Sequence, residues 1–126
     1  MTASDPQAIQ AYLAGVEPAK RALIERYYAR LDALVPDAEI GISYAMAGYL
    51  YRGKGLISVL ATRTGLSVVP YSGQACQQLR AAHADAGLDL SEKAGTIRIS
   101  LEAPLPDDLF DELVRLRVAE IDARSR

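Results

Sequence analysis

The chain has 126 residues, the size of one domain, and half of them are hydrophobic, so it can form a core without disulfides or metals. Its formal net charge of −2, with acids and bases interspersed, leaves no electrostatic footprint for nucleic acid. A single cysteine, Cys76, excludes an internal disulfide framework and fits a reducing compartment.

The opening MTASDPQ has neither the basic nor the apolar region of a signal peptide. No apolar run nears the roughly 20 residues needed to span a bilayer. The expectation is a soluble, cytoplasmic protein folded as a single domain over 1–126. SDPQAIQAYLAG predicts a short helix, with Ser4 or Asp5 as its cap, Pro6 in the first position and Gly15 at its end. EPAKRALIERYYARLDALVPD predicts a longer helix, begun by Pro18 and stopped by Pro36. Leu23, Ile24, Tyr27, Tyr28, Leu31, Leu34 and Val35 give it one broad apolar face. Tyr27 and Tyr28 belong at its core edge rather than in a ligand stack.

The period then changes. EIGISY alternates, with Ile40, Ile42 and Tyr44 against Glu39, Gly41 and Ser43. YLYR reads as a second strand, and GKG as a turn in which Gly53 and Gly55 take positive φ. LISVLAT is a central strand, RTG another turn, and LSVV a strand ended by Pro70. Connections this short imply antiparallel hairpins. SGQACQQLRAAHADAG returns to helical spacing, with Ala75, Leu79, Ala82 and Ala86 as the buried stripe and Gly87 as the cap. In AGTIRISLEAP, Ile97, Ile99 and Leu101 point one way and Thr96, Arg98 and Ser100 the other, a half-solvated strand with its polar face on display. Pro106 and Asp107 open a closing helix that runs to about Ala123. The predicted class is α+β: an antiparallel sheet of four to five strands, with a meander over 39–69 joined by 96–101. The N- and C-terminal helices pack on one of its faces.

No catalytic motif rises above background. GKG lacks the spacing of a phosphate loop and opens no helix. Cys76 and His83 are seven residues apart, about 10.5 Å along a helix, too far for a direct hydrogen bond or a shared metal. Asp108, Asp111 and Glu112 stand at i, i+3 and i+4 and can line one ridge, an arrangement that binds hard cations weakly. The same acids are also what a helix start prefers.

At ISYAMAGYLYRGKGLISVLATRTGLSVVPYS the chain resembles the YdhG-like family, a small bacterial domain long labelled as of unknown function. The matching residues are Ile42, Ser43, Tyr44, Met46, Tyr49, Gly53, Lys54 and Pro70. They continue with Lys93, Gly95, Thr96, Ile97, Arg98, Pro104, Leu105, Pro106 and Leu109. The family's usual proline after the methionine is Ala47 here, its acid before Ile-Ser-Tyr is Ile40, and its histidine after the second hairpin is replaced around Gly65. The resemblance implies a compact domain with a curved sheet, and some relatives are described as frataxin-like iron chaperones. It implies no reaction.

The leading reading is a binding module that holds a small ligand or a peptide beside the sheet. Its expected site residues are Ser43, Tyr44, Met46, Tyr49, Lys54, Arg98 and Arg117. Small residues at 45, 47 and 48 either leave room for a shallow pocket between tyrosines, or the tyrosines simply cover the sheet edge and bond to backbone. No cofactor is expected. The alternative reading is a weak iron-binding accessory protein using Asp108, Asp111 and Glu112, and an enzyme stays open as a third class, ranked below both. No nucleic acid or membrane partner is expected. A homodimer is, because the apolar fraction is high and an open sheet needs its edges covered.

Arg117 stands out. With Leu109 at zero, Arg117 falls near 80° on the helical wheel, amid Leu113, Phe110 and Ile121 at about 40°, 100° and 120°. A guanidinium cannot be buried alone. Either its stem alone is buried, or it reaches an acceptor on the sheet: Glu39, the Tyr44 hydroxyl or backbone carbonyls. Fixed that way, it can offer donors to an anionic ligand.

Overall fold

A computed structural model describes residues 2–91 and 95–125; Lys93 and Arg126 lie outside them. The order is β1 (Thr2–Ser4), α1 (Ala8–Leu13), α2 (Pro18–Leu34), β2 (Glu39–Ser43), β3 (Met46–Tyr51), β4 (Lys54–Ala61), β5 (Leu66–Val69), α3 (Gly73–Ala82), β6 (Asp89–Leu90), β7 (Ile97–Ile99) and α4 (Asp107–Arg124). The class is α+β, as read from the sequence. Seven antiparallel strands run in the order β1-β2-β3-β4-β5-β7-β6. The expected meander is β2 to β5, and β7 joins it beside β5.

The strand count corrects the expectation of four to five. The two additions, β1 and β6, are three and two residues long. Segments that short carry no readable alternation, and their neighbours β2 and β7 supply the ladder. Ser4 is therefore a strand residue rather than a helix cap. Asp5 holds the entry to α1 instead, its carboxylate accepting from the Gln7 N–H at 3.1 Å. In the first hairpin, Ser43 pairs with Met46 across Tyr44 and Ala45, which have φ of 50° and 65°. In the second, Tyr51 pairs with Lys54 across Arg52 and Gly53. Gly55 thus lies inside β4 and takes no positive φ. A bulge between Tyr49 and Leu50 leaves Leu56 as the extra residue of β4, and it is fully buried.

α2 and α4 pack against each other and against β4. Ile24, Tyr27, Leu31, Phe110, Leu113 and Val114 meet Ile57, Val59, Leu66, Val68 and Ile97 in one apolar cluster. α3 is shorter than predicted. His83 leaves helical geometry at φ −132°, and Gly87 ends a 3-10 turn at Ala84–Ala86. Ala82 and Ala86 are consequently exposed, and the buried stripe is Ala75, Cys76 and Leu79. No helix among the described residues is long and apolar enough to cross a membrane.

Two-residue hairpins of this twist favour residues that tolerate positive φ, such as Asn-Gly. Tyr44 and Ala45 occupy such positions at a steric cost of about 1–2 kcal/mol each. Ala45→Gly is expected to raise unfolding stability by about 1 kcal/mol, measured by urea denaturation. A stability equal to or below wild type would show that the turn is unstrained.

Candidate functional site

The tyrosines of β2 and β3 diverge. Tyr44 sits on the first hairpin, 72% exposed, with its ring stacked 6.2 Å from that of Tyr71. Tyr49 faces the helices: its ring lies 5.1 Å from Tyr28, and its hydroxyl donates to Asp32 Oδ1 at 2.7 Å. Tyr51, on the same side, donates to Asp122 Oδ1 at 2.9 Å. The structure does not bring Tyr44 and Tyr49 into one pocket. The Tyr49 and Tyr51 hydroxyls brace the sheet against the helices instead. The Tyr28 and Tyr12 hydroxyls accept from the Val59 and Ala61 N–H groups at 2.8 Å each, and Tyr27 donates to the Leu105 carbonyl at 2.8 Å. Burial pushes the Tyr27 hydroxyl up to about 12.

The sheet face opposite the helices is closed at its centre. The Tyr71 ring lies over Gly55, and its hydroxyl shares a 2.6 Å hydrogen bond with Ser58 Oγ and donates to the Ser43 carbonyl at 3.2 Å. Ser43 Oγ is bonded to Thr2 Oγ1 at 2.9 Å. Ser43 is therefore a buried structural hydroxyl, and Met46 is half-buried beside the same hairpin. Arg98 is exposed on β7 and pairs with Asp89 at 2.9 Å, far along the sheet from Tyr44.

The carboxylate ridge is dispersed. Asp111 forms a two-pronged pair with Arg30, at 3.0 and 2.6 Å. Glu112 Oε1 lies 2.7 Å from His83 Nε2, and Asp108 accepts from the Leu109 N–H. Among the described residues no three His, Cys, Asp or Glu side chains are grouped to hold a metal ion. These residues do not fit the iron reading. Cys76 is fully buried, and that burial pushes its thiol up to about 11, away from reactivity.

Lys54 and Arg117, in contrast, do converge. Arg117 reaches the sheet from α4 with 7% of its surface exposed. Its acceptor is a backbone carbonyl, that of Gly55, at 3.0 Å from Nε and 2.9 Å from Nη2; Glu39 and Tyr44 play no part. Its Nη1 donates to Glu120 Oε1 at 2.8 Å. On the other side of the same hairpin, Tyr51 and Arg52 both bond Asp122. The β3–β4 hairpin is thus gripped at the C-terminal half of α4, with a cavity on each side.

The larger cavity, about 390 Å³, is walled by Leu34, Val35, Pro36, Val114, Val118 and Ala119. Tyr51, Asp37, Arg115 and Asp122 bring polar groups to it. The hydrogen bond to Asp122, with burial and charge adding to it, holds the Tyr51 hydroxyl above its usual pKa, so it stays a neutral donor. The smaller cavity, about 150 Å³, is lined by Lys54, Arg117, Ile121, Arg124 and Ser125. The sequence reading did not place Arg124 there. The available signal was its spacing: seven residues past Arg117 returns to within about 20° on the helical wheel.

No protein-family model matches the chain, and no curated protein matches it in sequence. Among solved structures the chain is similar to the crystal structure of a DUF1801-family protein, YdhG of Bacillus subtilis. The TM-score is 0.79 at 19% identity, with 92% of each chain covered. At that identity the likeness shows the fold, and the fold is the one the YdhG-like resemblance implies.

Proposed function

We propose that this chain, on its YdhG-like fold, is a binding module for a small molecule held where the β3–β4 hairpin meets α4. One observation carries the reading: a cavity of about 390 Å³ with apolar walls and a few polar groups gathered at Tyr51 and Asp122. That size and lining are typical of small-ligand sites. Apolar walls supply the affinity, and the Tyr51 hydroxyl, the carboxylates of Asp37 and Asp122, and Arg115 orient what enters. The groove lies beside the sheet rather than on the face that carries Arg98.

A library of neutral aromatic fragments, screened by amide chemical-shift mapping, tests this. The expected result is a set of binders whose shifts gather at Leu34, Tyr51, Val114 and Val118. Substituting Val118→Asp, at a half-buried position of the wall, is expected to abolish them while the fold persists. Shifts gathered at Tyr44 or Arg98 instead, or no binders at all, would overturn the assignment.

A further inference from the structure

The smaller cavity has a different character. Of its five lining residues, Lys54, Arg117 and Arg124 are cations and none is acidic. The nearest counter-charge on α4 is Glu120, which lies 2.8 Å from Arg117 Nη1 and 3.6 Å from Arg124 Nη2. Among the described residues, three cations against that one carboxylate leave a net charge of +2 (3 − 1). The C-terminal end of α4 adds about half a negative charge. That is too little to cancel the surplus, so offsetting the helix dipole does not account for all three cations.

The donors are also available. Arg117 has five N–H groups, and its bonds to Gly55 and Glu120 use three of them. Two remain, held in place by a side chain that is itself buried. The Lys54 side chain is exposed on the rim and forms no hydrogen bond or ion pair with any described residue. Arg124 is 72% exposed at its side chain and touches Glu120 only at the longer distance. A fixed guanidinium fork flanked by two exposed cations is the arrangement that suits an oxyanion with donors on several sides.

Size narrows the class. A volume of 150 Å³ is about five waters' worth. It admits one tetrahedral group, and it falls short of the roughly 300 Å³ at which pockets for drug-sized molecules begin. We propose that this cavity is a receptor for the dianionic group of a small phosphate, either the free ion or the monoester of a small organic molecule. The proposal does not depend on the larger groove being a ligand site.

The test is a titration with sodium phosphate above its second pKa, at ionic strength held constant with sodium chloride, followed by amide chemical shifts. Saturable shifts at Lys54, Ile121 and Ser125 are expected. The double substitution Lys54→Ala/Arg124→Ala changes two exposed residues and should weaken binding at least about tenfold. Arg63→Ala/Arg80→Ala removes the same charge elsewhere and should leave it unchanged. Phenyl phosphate, titrated in parallel, separates the two sources: tighter binding than inorganic phosphate identifies a monoester, and equal binding the free ion. Non-saturable shifts, equal shifts with chloride alone, or equal weakening in both double variants would overturn the proposal. Because the fragment screen reads a different set of amides, phosphate can fail here while the groove assignment stands.

Discussion

Arg117→Leu is expected to lower unfolding stability by about 3 kcal/mol, although it places a helix-favouring apolar residue on an apolar face. The reason lies in what the guanidinium leaves behind. The Gly55 carbonyl loses two donors, and Glu120, with only 12% of its side chain exposed, loses its main partner. Removing one member of a buried pair costs about 3–5 kcal/mol; Glu120 keeps its bond from Ser72 at 3.0 Å, which favours the lower end. Arg117→Lys keeps the charge but not the fork and should fall between the two. Burial pushes the Glu120 carboxyl up, but hydrogen bonds from Arg117 and Ser72 and the charges of Arg117 and Arg124 together hold it below its ordinary value. A depressed carboxylate contributes stability that is fully present above its unfolded pKa, about 4.3, and is lost as pH falls through the folded one. The gap between wild type and Arg117→Leu should therefore narrow on acidification below about pH 4. Urea denaturation at pH 7 and in that acid range measures both effects. A variant within about 0.5 kcal/mol of wild type at pH 7 would show that the pair adds nothing net.

Gly48→Ala should cost about 3 kcal/mol, at the upper end for overpacking. Gly48 pairs with Gly41 across β2 and β3, on the face opposite the helices. A methyl group at Gly48 would collide with Ser58 Oγ, stand 2.5 Å from the Ile57 carbonyl oxygen and 2.9 Å from Ser58 Cα. Two of those three atoms are backbone of the adjacent central strand, so no rotamer change relieves them. Ser58→Ala added to Gly48→Ala should restore only a minor part, because the Ile57 oxygen stays in place. The contrast is Gly95→Ala, where a methyl group would meet none of the described residues within 4 Å and stability should be unchanged. Thermal and urea unfolding of the three variants make the comparison. Full rescue by Ser58→Ala would place the whole conflict in the hydroxyl and refute the backbone argument.

Local rules acted where they had enough residues to act on. Pro18 and Pro36 bracket α2 because proline suits a helix start and cannot continue a helix, and α2 runs over Pro18–Leu34. Turns of two and four residues forced β2 to β5 into an antiparallel meander, since no parallel connection is that short. The helical wheel placed Arg117 on the buried side of α4, and physical chemistry required it to find an acceptor. Which acceptor was a tertiary matter: Gly55 lies 62 residues away in sequence and became available through the hairpin and bulge of β3 and β4. The same holds for the losses. Asp108, Asp111 and Glu112 do share a helical ridge, but Arg30, 81 residues from Asp111, and His83 turn two of them aside. Tyr44, Tyr49 and Tyr51 share one short segment, yet a hairpin and the pleat send them to solvent, to α2 and to α4. β1 and β6 exist because neighbouring strands offer them hydrogen bonds, not because two or three residues carry a period. Sequence determined the elements, since helix and strand periods and turn sterics are properties of neighbours along the chain. Tertiary structure alone decided the two cavities, since each is walled by side chains that only packing brings together.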